Sequence, residues 1–267
     1  MSNFKRWTAV GLGAALIAGC SGEAERPAEA PATTPAAASG EGAGEGGESG
    51  EGGVNVAAAA TDPVVYLSAL ALVEAHVRAA AEAAGAGERQ AAAEMFAHPV
   101  GEVLVDMQPT FQQLGVDPFE DPFIAASTAT AQGAGPAEVR RLADGLLAML
   151  ESAEARAPAG GLRNPDVAAA VIADLVDRGA LQYATAQGSD AYEPYLDGYG
   201  FLLTARAWRD RHGAEIARAT PETARKIDEA IAALAAAYPT PTRPAALNAD
   251  EGVLQAAASQ LKLATSR

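Results

Sequence analysis

The chain has 267 residues with 34 Asp+Glu against 19 Lys+Arg, a formal net charge of −15, and one cysteine. Such an acidic surface repels phosphate backbones, which argues against nucleic acid as a partner. A single thiol excludes a disulfide framework within the chain, and with Cys20 modified no thiolate metal site or cysteine nucleophile remains.

In chain order, Lys5 and Arg6 precede an uncharged stretch from Trp7 to Gly19 that is too short to span a bilayer. The stretch ends in Leu16-Ile17-Ala18-Gly19-Cys20, which resembles the lipobox of bacterial lipoproteins. The resemblance implies a signal peptide over 1–19 and lipidation at Cys20. Ser21, in place of an aspartate, implies delivery to the periplasmic face of the outer membrane, with the membrane as partner through the anchor. Residues 20–61 read as a tether, because Ala, Pro, Gly, Ser and Glu dominate with almost no large apolar side chain to bury. A flexible coil of about 40 residues spans roughly 35 Å on average.

Residues 62–267 are long enough for one domain with a substantial core. Alanine is abundant and apolar positions recur at three and four, so the expected class is all-α, an antiparallel bundle built from helical hairpins. Four apolar stripes carry this reading. They are Tyr66-Leu70-Val73-Val77, Val100-Leu104-Met107-Phe111-Leu114, Val139-Leu142-Leu146-Met149-Ala153 and Ile227-Ile231-Leu234-Tyr238. Asn164-Pro165, Gly135-Pro136 and Thr220-Pro221 read as helix starts, and Asn248 with Glu251 as a capping box. Gly85-Ala86-Gly87, Gly160-Gly161 and Gly188 supply breaks. The predicted helices are 63–84, 88–114, 119–132, 136–157, 165–187, 189–218, 221–238 and 249–263.

The chemistry rests on few residues, since the histidines are His76, His98 and His212 alone. No HExxH, phosphate loop or Gly-x-Ser-x-Gly elbow is present, so the zinc-protease, nucleotide and α/β-hydrolase classes lack their minimum parts, and a non-enzymatic role is expected ahead of one with Glu102 or Asp197 as a general base near His98. His98, Glu102 and Asp106 are spaced four apart on one helical face, and an imidazole with carboxylates can hold a divalent cation. The same face, turned from the apolar stripe, also reads as a solvated acidic surface. Pro99 implies a kink or a fresh helix start beside His98. If the first hairpin turns near Gly87, His76 comes level with His98 and becomes a further ligand. A second candidate lies in Tyr192 to Phe201, with Tyr192, Tyr195 and Tyr199 on one side and Asp197 on another. Arg178 comes level with Asp197 if the next turn is near Gly188, giving a structural ion pair or a ligand site. The tyrosine row reads as core filling or a cleft lining, and His212 as a core-edge residue.

His98-Pro99-x-x-Glu102 with Tyr195-Leu196-Asp197-Gly198-Tyr199-Gly200-Phe201 resembles segments of imelysin-like proteins and of helical periplasmic regions linked to bacterial iron permeases. The resemblance implies a non-enzymatic helical protein that binds iron or another divalent metal and serves metal uptake. On the spacing of the residues themselves the ligands would be His98, Glu102 and His76, and the partner a metal-transport or envelope protein. The other reading is an envelope lipoprotein that contacts proteins and holds no small ligand.

Overall fold

A computed structural model describes residues 56–266, so the signal-peptide, Cys20 and most of the tether readings lie outside the described residues. Among the described residues the chain is all-helical, with no strand. The helices are α1 (Val56–Ala59), α2 (Pro63–Gly85), α3 (Arg89–Pro99), α4 (Val105–Leu114), α5 (Glu120–Ala131) and α6 (Pro136–Glu154). They continue as α7 (Pro165–Gln187), α8 (Glu193–Ala219), α9 (Pro221–Ala237) and α10 (Glu251–Thr265). A π-helical turn over Val100–Leu104 joins α3 to α4, and a 3-10 turn over Pro158–Arg163 precedes α7.

Helix α2 is the centre of the packing and touches α3, α6, α7 and α8. Its composition explains this position, because Ala, Leu and Val occupy nearly every face and no face can be left to water. The helix is long and apolar enough to cross a membrane, yet 83% of its most apolar window is buried by the other helices, as in the core helix of a folded domain. Asp62 starts it by accepting from the Val64 and Val65 amides, with Pro63 at the first helical position. The four predicted stripes point inward: Tyr66, Leu70, Val73, Val77, Leu104, Met107, Phe111, Val139, Leu146, Ile227, Leu234 and Tyr238 are all buried.

Two predicted caps are corrected. Asp250, and not Asn248, caps α10 by accepting from the Val253 amide, so the helix begins at Glu251. Thr220 makes no side-chain cap to α9; its hydroxyl donates back to the Ile216 carbonyl at the end of α8. Asn164 caps α7 as its sequence suggests, accepting from the Asp166 amide.

The tyrosine row of α8 is structural. Tyr195 is buried and donates to the Thr240 carbonyl at 2.8 Å, and Tyr192 donates to Pro241 at 2.8 Å. Together they hold down the segment after α9, while the partly buried Tyr199 packs against the core. Gly198 makes room for Tyr238, whose hydroxyl donates to the Gly179 carbonyl on α7 at 2.7 Å.

A buried charged cluster ties α2 to α8 and α6. Glu74 accepts from Arg78, from Trp208 Nε1 at 3.0 Å and from Arg211 at 3.1 Å, and Arg211 also reaches Glu154 at 3.4 Å. Burial, opposed by Arg211 and reinforced by Glu74, pushes the Glu154 carboxyl up to about 7 from 4.5. The folded chain therefore keeps this proton at pH values where the unfolded chain has released it, and stability falls as pH rises through that window. Replacing Glu154 by Gln is expected to flatten the decline of the urea midpoint between about pH 5 and 7. An unchanged slope would remove Glu154 as its source.

Candidate metal centre

The local cause of the site is Pro99. It has no amide hydrogen and its ring crowds the carbonyl one turn back, so the regular ladder cannot run through it. The chain widens instead into a π-helical turn in which the Val105 amide donates to Val100, five residues back. This turn carries Glu102 and follows directly on His98.

His76 comes from the middle of α2, His98 from the last turn of α3, and Asp197 from the second turn of α8. One ligand atom from each lies within 4.8 Å of the other two. The two imidazole rings are 5.9 Å apart and nearly perpendicular. His76 Nε2 is 3.7 Å from Asp197 Oδ1 and 3.6 Å from Glu102 Oε2. Their side chains form a graded mouth: His76 is 6% exposed, Asp197 11%, His98 22% and Glu102 24%.

The orientation of His76 is set by its backbone. Nδ1 lies 3.0 Å from the Leu72 carbonyl, an acceptor only, so this nitrogen carries the hydrogen and donates it. In the neutral ring Nε2 then presents a lone pair toward two carboxylates. Burial lowers the His76 pKa, opposed by the charge of Glu102, which favours that neutral ring. A lone pair facing two carboxylates is electrostatically poor unless a proton or a metal cation lies between them. Ligand atoms on a tetrahedral ion with bonds of about 2.0–2.2 Å stand about 3.3–3.6 Å apart, so the spacings from His76 to Glu102 and Asp197 nearly match already, and a spacing at the 4.8 Å limit of the cluster would close by roughly an ångström.

Beside this convergence lies a cavity of about 60 Å³ bounded by Leu72, Phe201, Arg178, Gln182 and the side chains of His76, Glu102 and Asp197. It has room for a few waters or a hydrated cation. Arg178 sits in its wall as the Asp197 register suggested, and bonds Asp174 at 2.9 Å.

His76 lies beside His98, where the hairpin arithmetic about Gly87 puts it, and Glu102 lies beside His76. The structure leaves Asp106 exposed, away from them. Asp197 joins the histidines, a partnership that no local spacing could signal because α2 and α8 are far apart in sequence. His212 belongs elsewhere: its ring lies 5.1 Å from Trp208, at the edge of a larger groove of about 670 Å³ with Arg163 and Arg218. That groove gathers cationic side chains and lacks converging ligands. Sequence reasoning also missed the Glu74 cluster, whose signal was a glutamate inside an otherwise apolar run, four residues before Arg78.

No family model, curated protein or solved structure matches this chain.

Proposed function

We propose that this chain is a membrane-tethered binding protein for a divalent metal ion such as iron, working on the periplasmic side of a bacterial outer membrane and serving metal uptake. The observation that carries the reading is the convergence of His76, His98 and Asp197 within 4.8 Å, with Glu102 beside them. Two imidazoles and two carboxylates from four parts of the chain form a nitrogen-oxygen set suited to iron, zinc, manganese or copper(II). Two carboxylates against a divalent ion also leave the immediate site neutral, which suits a partly buried position. The lipobox-like Leu16-Ile17-Ala18-Gly19-Cys20 and the polar stretch after it support lipidation at Cys20 and a tether that holds an antiparallel bundle clear of the lipid.

Calorimetric titration of the full chain with Zn²⁺, Mn²⁺ and Fe²⁺ tests this reading. One ion per chain is expected, with His76→Ala weakening binding by more than about 100-fold, since changes one shell further out already cost 10–100-fold. His212→Gln should bind as the unaltered chain does. No binding by the folded chain, or equal binding by His76→Ala, would overturn the reading.

A further inference from the structure

Glu193 opens α8 one turn before Asp197, and its Oε1 lies 3.5 Å from His98 Nδ1. It is 52% exposed, so core packing does not require it to face His98. We propose that Glu193 is a positioning residue for the cation site: it accepts the Nδ1 hydrogen of His98, which makes Nε2 the lone-pair nitrogen offered to a divalent cation shared with His76 and Asp197. This rests on the cation-binding reading above and adds a residue to it.

The argument is one of tautomers. A neutral imidazole has one donor and one acceptor nitrogen, and only the acceptor can bind a metal. At His76 the choice is made by the Leu72 carbonyl, which takes the Nδ1 hydrogen at 3.0 Å. At His98 the oxygen near Nδ1 is the Glu193 carboxylate, which can only accept while ionised. A modest rotation of this exposed side chain reaches the roughly 2.7–2.9 Å of a charge-assisted bond. The carboxylate would also make the ring a stronger ligand, as outer partners of metal-bound histidines do. The inner histidine is thus set by rigid backbone and the outer one by a side chain at the mouth.

A double-mutant cycle on the full chain, read as Zn²⁺ affinity against a competing chelator, tests this. Glu193→Gln is expected to weaken Zn²⁺ by about 10–100-fold in the presence of His98. In a His98→Ala background the same change should cost several-fold less, the remainder being the direct attraction of the Glu193 charge, which also reaches His76. Unfolding midpoints without metal should be alike for Glu193→Gln and the unaltered chain. No loss from Glu193→Gln, or an equal loss with and without His98, would overturn the positioning role while leaving the cation site standing. Failure of the unaltered chain to bind Zn²⁺ would remove both.

Discussion

Replacing Gly200 by Ala is expected to destabilise the chain by about 2 kcal/mol or more, despite alanine's better helix propensity, and to weaken cation binding with it. A Cβ at Gly200 would lie 2.5 Å from the Ala75 carbonyl oxygen and 3.1 Å from its carbon. These are backbone atoms in the middle of α2 and cannot turn aside, so the two helices would have to part. Asp197 and His76 face each other across the same helix pair, three residues before Gly200 and one after Ala75. Parting the backbones would therefore widen the cation site as well as loosen the core. Gly145→Ala provides the contrast, because nothing lies within 4 Å of the added atom on α6. It should gain up to about 1 kcal/mol from helix propensity. Urea unfolding of both variants checks the pair, and a Gly200→Ala chain as stable as the original would contradict the close contact.

Glu74→Ala is expected to cost about 3–5 kcal/mol in chemical denaturation, the largest loss predicted for a single side chain. Glu74 is only 2% exposed and serves donors from Arg78, Trp208 and Arg211. Truncation would leave the Arg78 guanidinium and the indole N–H without this acceptor, while Arg211 keeps Glu154 and Glu151. Most of the loss is the cost of leaving the first two groups without that acceptor, and it need not equal the net stabilisation the intact cluster provides. Trp208→Phe removes one neutral donor and should cost less through that bond, about 1 kcal/mol, plus the volume lost in the core. A Glu74→Ala loss below about 1 kcal/mol would mean that water readily replaces the carboxylate.

Much of the fold was legible because the helices declare themselves locally. The alternation at three and four found α2, α6 and α9, and the proline and glycine positions placed most ends within a few residues. The errors sit where two local solutions compete. Asn248 and Asp250 are both good caps, and the choice between them follows from how the segment after Tyr238 is held by Tyr192, Tyr195 and Arg243. The long helix predicted over 88–114 is interrupted by the π-helical turn after Pro99, which the sequence signals as a kink or a fresh helix start without giving its form.

For the site, the same division holds. His76 and His98 lie on consecutive helices joined by a short turn at Gly87, so symmetry about that turn found their approach. Asp197 and Glu193 come from α8, whose packing on α2 depends on Gly200 and on the whole arrangement between them. Their face was visible in sequence as apolar neighbours Phe201 and Trp208 around an acid, but not what the acid would meet. Phe201 does bound the cavity with Asp197, whereas Trp208 is committed to Glu74.

The central claim, that two histidines and a carboxylate of this chain share one cation, is tested most directly by zinc X-ray absorption on the full chain loaded with one equivalent of Zn²⁺. Two imidazole nitrogens with carboxylate oxygen at about 2.0–2.2 Å are expected, and one imidazole fewer in His98→Ala. A shell of oxygens alone, or a spectrum unchanged by His98→Ala, would contradict it.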